Sequence, residues 1–167
     1  VAIVTGQQAG LFGGPLFTLL KALTVLRLAE RTAAEHGVPA VAIFWIDAED
    51  HDWDEVKACG VLDAELNLVR IALDDPPDAG AGPVAGVRLN DSASAATAML
   101  AATLPATDFS PALLEAVRLA YTPGAGMAEA FGTWLESLLG PRGLVVFNSS
   151  DPAAKPLVST LFAREIE

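Results

Sequence analysis

Seven of the nine residues from Asp47 to Glu55 are ionisable, and six of these are acidic. They are Asp47, Glu49, Asp50, His51, Asp52, Asp54 and Glu55. Carboxylates packed this closely repel one another unless a cation, a helix N-terminus or a polar ligand offsets their charge. We interpret this acidic loop as a polar substrate site, in which His51 with Asp50 or Asp52 holds a tautomer or moves a proton.

Two other interpretations of the acidic loop stay open. Asp residues cap helices well, so capping and solvation alone would account for part of the charge. A divalent cation is the second alternative. It is disfavoured because adjacent loop residues point in different directions and no second histidine lies at ligand spacing. We therefore predict no metal requirement.

A second candidate segment is rich in glycine. Four glycines lie within the nine positions from Gly6 to Gly14, ahead of a predicted helix. Backbone amides in such a segment, with those of a helix N-terminus, favour an anion. The segment has neither the Lys-Ser/Thr end of a phosphate-binding loop nor the spacing G-x-G-x-x-G. A tight turn that packs a strand on a helix is the alternative interpretation.

Four further residues are candidates for chemistry. Lys21 lies about two turns into the predicted first helix. Cys59 lies in acidic surroundings that disfavour a thiolate, so we interpret it as a small apolar core residue. The apolar patterns around Trp45 and Trp134 predict that both pack in the core.

Alternating strands and helices position these segments. Apolar runs, breakers and caps predict strands at 1–4, 40–46, 64–73 and 144–147, and helices at 15–35, 91–102, 110–121, 127–139 and from 150 onwards. A strand, helix and strand within the first fifty residues predict an α/β fold with a parallel sheet. Ligands of such sheets bind beyond the carboxyl ends of the strands, so we expect the two candidate segments to be neighbours.

Composition narrows the class of protein. Of the 167 residues, 52% are hydrophobic, which excludes a disordered tail, and the single cysteine excludes a disulfide scaffold. The net charge of −11 argues against nucleic-acid binding. No membrane span or signal peptide is evident, so we expect a cytoplasmic protein. Neither end carries a start or stop signal, so we also expect a segment of a longer chain.

The two candidate segments resemble a specific family. The motif VTGQQAGLF-x-GPLFT-x-x-K at 4–21 and the motif EDHDW-x-EV at 49–56 resemble those of the bacillithiol cysteine-adding enzymes, the BshC cysteine ligases. Shorter matches continue to the end of the chain. The resemblance implies a Rossmann-like parallel sheet with flanking helices, a nucleotidyltransferase-like core that is partial here. It also implies an inserted region at about 64–140 and a homodimer formed through a coiled coil beyond residue 167.

The activity that the resemblance implies is amide formation between the carboxyl group of cysteine and the amine of glucosaminyl-malate, the last step in making bacillithiol. The segment alone would be inactive. The resemblance leaves the cofactor unknown, with a nucleotide such as ATP or ADP as the candidate. Nucleotidyltransferases carry a His-x-Gly-His signature at this place, whereas this chain has Phe12-Gly13-Gly14-Pro15, which argues against adenylylation here. The alternatives are an ATP-dependent ligase with another substrate and a non-enzymatic dimeric scaffold.

On this basis we assign the candidate site residues. The predicted catalytic residues are Glu49, Asp50, His51 and Asp52. The predicted substrate-binding residues are Gly6, Gln7, Gln8, Gly10, Gly14, Pro15, Lys21, Trp53 and Glu55. The glycine segment would bind a carboxylate or phosphate, and the acidic loop an ammonium group or sugar hydroxyls.

Overall fold

The computed structural model describes residues 1–77 and 79–166. Within them, the chain forms five strands and six α-helices. The strands are β1 (Ala2–Gln8), β2 (Val41–Asp47), β3 (Ala58–Leu62), β4 (Leu68–Ala72) and β5 (Leu144–Asn148). The helices are α1 (Phe17–His36), α2 (Trp53–Val56), α3 (Ser92–Thr103), α4 (Ser110–Ala120), α5 (Met127–Leu139) and α6 (Lys155–Ile166).

The main sheet is parallel, with strand order β1-β2-β5. Helix α1 connects β1 to β2, as parallel neighbours require, and ends at Gly37, which adopts φ 64° and donates its amide to Ala33. Phe44 and Ile46 of β2 are buried, and α5 covers them through Phe131 and Gly132. The sheet and its helices confirm the predicted α/β, Rossmann-like fold.

The opposite face of the sheet is largely open among the described residues. Trp45 is 44% exposed and Val145 is 48% exposed. The prediction that Trp45 packs in the core is therefore wrong. Strand alternation turns it away from α5, and its ring instead lies 4.6 Å from that of Phe147, centroid to centroid. Trp134 is buried, as predicted.

Two element boundaries differ from the prediction at the start of the chain. Strand β1 continues to Gln8 rather than ending at residue 4, because parallel pairing with β2 extends to the pair Gln8 and Asp47. Strand β1 requires glycine at position 6, because a Cβ atom there would lie only 2.8 Å from the carbonyl oxygen of Trp45. Helix α1 begins at Phe17, two residues after Pro15.

The predicted strand at 64–73 is present as β4 but covers only Leu68–Ala72, and it is one arm of an antiparallel hairpin with the unpredicted strand β3. The Asp63 carboxylate accepts backbone hydrogen bonds from Glu65 at 2.9 Å and Asn67 at 2.8 Å, which closes the turn. Strand β3 was not predicted, because Ala58, Cys59 and Gly60 carry little β propensity. Helices α3, α4, α5 and strand β5 lie within two residues of their predicted bounds.

No helix in residues 1–77 and 79–166 has the length and apolar character needed to cross a membrane.

Candidate functional site

The two candidate segments meet at the carboxyl edge of the main sheet. Gln8 and Asp47 are the last residues of β1 and β2 and are paired in register. The side-chain nitrogen of Gln8 donates a hydrogen bond to Asp50 Oδ2 at 2.6 Å and a longer one to Glu55 Oε2 at 3.4 Å. This contact confirms that the segments are neighbours.

The carboxylate of Asp50 is held by three donors. Besides Gln8, the backbone amides of His51 and Asp52 donate to its Oδ1 atom at 2.6 and 3.2 Å. The hydrogen bond from Gln8, followed by those from the two amides, lowers the pKa of Asp50 below its ordinary value. Asp50 is therefore ionised at neutral pH, which suits it to hold a cation or hydroxyls rather than to accept a proton.

His51 is highly accessible. Its side chain is 82% exposed, and its Nδ1 atom lies 4.0 Å from Asp50 Oδ1, beyond hydrogen-bonding distance. Asp52 does not contact it either, because the Asp52 carboxylate caps α2 by accepting the amide of Glu55 at 3.1 Å. The imidazole is thus open to a ligand and is not oriented by either neighbouring carboxylate.

Part of the acidic loop serves structure. The Trp53 indole is buried, and its nitrogen donates to Asp75 at 2.8 Å. Lys57 binds the same carboxylate at 2.8 Å and Asp54 at 2.5 Å. These bonds, that from Lys57 first, lower the pKa of Asp75. The structure therefore places Trp53, predicted to contact substrate, in the packing under the loop.

Strand alternation separates the two glutamines. Gln7 pairs in register with Ile46, and the side-chain oxygen of Gln7 accepts a hydrogen bond from Lys21 at 2.9 Å. Gln8 points to the other face of the strand and contacts Asp50. Lys21 also donates to the carbonyl of Gly6 at 3.2 Å. Gly6, Gln7 and Lys21 form one cluster, and Gln8, Asp50 and Glu55 form another.

The turn after β1, residues 9–14, is built for close packing. Gly13 has φ +97°, and a Cβ atom there would lie 2.3 Å from the Trp134 ring. A Cβ atom on Gly10 would lie 2.7 Å from the α-carbon of Gly14. The amides of these three glycines donate to carbonyls within residues 8–11. Gly14 and Pro15 line an apolar cavity of about 280 Å³.

Glu49 faces a different space from Asp50. It lines a groove of about 600 Å³ beside the ends of β2 and β5, together with Arg88, Asn148 and Asp151. It pairs with Lys155 of α6, and Arg88 pairs with Glu129 at 2.8 Å. Within the described residues, no three His, Cys, Asp or Glu side chains are grouped to hold a metal ion.

Sequence reasoning missed two supports of the acidic loop. The buried hydroxyl of Ser149, just after β5, accepts a hydrogen bond from the amide of Ala48 at 3.2 Å. The amides of Val84 and Ala85 donate to the carbonyls of Asp50 and Ala48. The polar run Asn148-Ser149-Ser150-Asp151 after an apolar strand was the available signal for Ser149. No local pattern marks residues 84 and 85.

Cys59, the single cysteine of the sequence, lies on β3 and is partly buried. Burial raises its pKa to about 11, so the thiol is protonated at neutral pH. This agrees with the interpretation of Cys59 as a packing residue.

Known proteins resemble this chain along its whole length. Residues 1–167 match the family described as "Bacillithiol biosynthesis BshC, N-terminal Rossmann-like domain". Proteins named "Putative cysteine ligase BshC" are 41% identical in Salinibacter ruber and 34% identical in Symbiobacterium thermophilum and Heliobacterium modesticaldum, each over 100% of this chain. The chain spans 30% to 32% of the length of these relatives. It belongs to the bacillithiol biosynthesis BshC family and corresponds to its N-terminal Rossmann-like domain.

Proposed function

We propose that this chain is part of a ligase that joins the carboxyl group of cysteine to the amine of glucosaminyl-malate, the last step of bacillithiol formation. The observation that carries the proposal is the contact between Gln8 and Asp50, which unites the two motif segments at the carboxyl edge of the sheet. The cysteine ligase name of the relatives supports the same class of reaction.

The residues divide the work by charge. The carboxyl groups of Asp50 and Glu55, which share the Gln8 amide, would attract the ammonium group of a substrate or accept hydrogen bonds from its hydroxyls. His51, exposed beside them, would take a proton from the attacking amine, because imidazole is the side chain that most often acts as a general base. Glu49 would bind polar groups from the neighbouring groove.

Amide formation joins the amine nitrogen to the carboxyl carbon of cysteine and releases one carboxyl oxygen. A nucleoside triphosphate is the class of co-substrate that would carry this oxygen away as phosphate. The turn at residues 9–14 does not fit the phosphates of such a co-substrate, because the amides of Gly10, Gly13 and Gly14 already donate to carbonyls of residues 8–11. We therefore derive no step through a nucleotide at this turn.

Dimerisation through a coiled coil outside these residues, and a cytoplasmic location, belong to the same proposal.

The test uses the full-length protein with cysteine and glucosaminyl-malate, with and without ATP, and detects the joined product by mass spectrometry. Asp50→Asn removes the charge with little change in shape, and we expect it to lower the rate at least about tenfold. The matched control is Asp54→Asn in the same loop, whose carboxylate is bonded to Lys57. It should change the rate by less than about twofold.

Absence of product under both conditions would refute the ligase assignment. Equal losses in the two variants would show that the loop contributes stability rather than a substrate contact. Product that requires ATP would place nucleotide-dependent activation elsewhere in the full chain.

A further inference from the structure

A buried tyrosine far along the chain holds the turn that follows Gln8. Tyr121, at the end of α4, is 1% exposed, and its hydroxyl donates a hydrogen bond to the carbonyl of Gly10 at 3.1 Å. Its ring also packs edge-on against Phe12, with centroids 5.1 Å apart and planes at 78°. Burial raises the pKa of Tyr121, so its hydroxyl keeps its proton and remains a donor.

The turn needs this support. Phe12 adopts φ 51° and ψ 30°, a left-handed conformation that is unfavourable for a residue with a Cβ atom. Such a conformation persists where surrounding contacts impose it. Tyr121 supplies the ring contact to Phe12, and Trp134 closes the other side of the turn against Gly13.

A short series of bonds connects Tyr121 to the candidate site. The hydroxyl binds the carbonyl of Gly10, and the amide of the same residue donates to the carbonyl of Gln8 at 3.0 Å. The side chain of Gln8 then donates to Asp50. Gly10 takes part in the first two of these bonds and Gln8 in the last two. Displacement of Gly10 would therefore move Gln8 relative to the acidic loop.

We propose that Tyr121 is a positioning residue of the candidate site, which sets the turn after β1 so that the Gln8 amide meets Asp50. Tyr121 has no role in bond making, since it is buried and bonded to the backbone. Its expected effect on catalysis rests on the proposed function, whereas its effect on the geometry of Gln8 does not.

The test compares Tyr121→Phe with the unchanged full-length protein. We expect kcat/KM for cysteine addition to fall about tenfold, since small misplacements of site groups are costly. In a Gln8→Ala background the same substitution should change kcat/KM by less than about twofold, because the group that it positions is gone. Thr97→Val is the matched control, since it removes a buried hydroxyl bonded to the carbonyl of Ala93 within α3. This control should leave kcat/KM unchanged.

Crystal structures of the same proteins give a readout independent of activity. The bond between Gln8 and Asp50 should be lost or lengthened in Tyr121→Phe and retained in Thr97→Val. Phe12→Leu, which weakens the ring contact, should displace Gln8 in the same way if Tyr121→Phe does not fold. An unchanged Gln8 in these structures, or an equal loss of kcat/KM in both backgrounds, would overturn the proposal. If neither the unchanged protein nor any variant adds cysteine, the proposed function fails, but the crystal structures still decide whether Tyr121 positions Gln8.

Discussion

Asp50 and Gln8 form a contact whose strength depends on the charge of the carboxylate. Hydrogen bonds to an ionised acceptor are stronger than those between neutral groups. Gln8 also approaches Glu55, so one side-chain amide lies between two carboxylates. A substrate ammonium group that approaches this pair would compete with Gln8 for the same oxygens.

Replacing Gln8 by Ala should raise the pKa of Asp50 towards its ordinary value of 3.8, because the bond from Gln8 is the largest of the influences that lower it. A titration of the ¹³C-labelled carboxyl group by NMR measures the change. Gln7→Ala is the matched control, since Gln7 binds Lys21 instead. An identical Asp50 titration in wild type and Gln8→Ala would contradict the prediction.

The same shift has a consequence for stability. A carboxyl pKa that is lower in the folded state stabilises the fold above the ordinary pKa, and this stabilisation is lost as the pH falls through the lowered value. Urea unfolding should therefore separate wild type from Gln8→Ala near pH 6, with the two curves converging as the pH falls below 3.8.

At the scale of elements, helices α3, α4 and α5 were predicted well, whereas the four-residue helix α2 and the hairpin of β3 and β4 were not. Helix α5 and strand β5 follow from strong apolar periodicity and from breakers at their ends. The hairpin of β3 and β4 depends on a turn that the Asp63 side chain closes. Strand β3 has little β propensity of its own, so its residues alone do not show that it pairs with β4.

The candidate site was predictable in outline only. The meeting of the two motif segments follows from parallel strands with shared carboxyl ends. The division of Gln7 from Gln8 depends on how far β1 extends, and pairing with β2 decides that. The burial of Trp53 depends on Asp75, which is 22 residues away. The residues around Gln8 and Trp53 do not show that β2 and Asp75 are their partners.

The turn at residues 9–14 gives a prediction at this scale. Gly13→Ala should destabilise the chain by about 3 kcal/mol, because the new methyl group would overlap the Trp134 ring in a left-handed backbone conformation. The control is Gly37→Ala, which has a similar positive φ of 64° but open space around it, and should cost about 1 kcal/mol. Urea unfolding followed by circular dichroism measures both values. Equal costs would mean that close packing against Trp134 is unimportant.

At the scale of the whole molecule, the sheet has one covered face and one exposed face among the described residues. Val4 of β1, at 54% exposure, and Val145 of β5 both pair in register with Ile43, two residues before Trp45 on the same exposed face. Apolar patches of this kind usually meet another surface. The relatives are about three times as long as this chain, so they contain further chain that would suffice to cover it.

The three tryptophans test this asymmetry. Trp45 is 44% exposed, whereas Trp53 and Trp134 are 4% exposed each. In the 167-residue chain, acrylamide should therefore quench one part of the fluorescence strongly and the rest weakly. Trp45→Phe should remove the strongly quenched part, and Trp134→Phe should leave it in place. Uniform quenching of all three would contradict the open face.

The bond between Tyr121 and Gly10 joins residues 111 positions apart, and that between Ala48 and Ser149 joins residues 101 apart. Contacts of such long sequence separation form late in folding, since the loop that they close is entropically costly until the intervening elements have docked. Strands β1 and β2 need only α1 between them to pair. The acidic loop and the turn after β1 would therefore reach their native conformations after β1 and β2 have paired. A partly folded chain would then have the paired strands but not the assembled site.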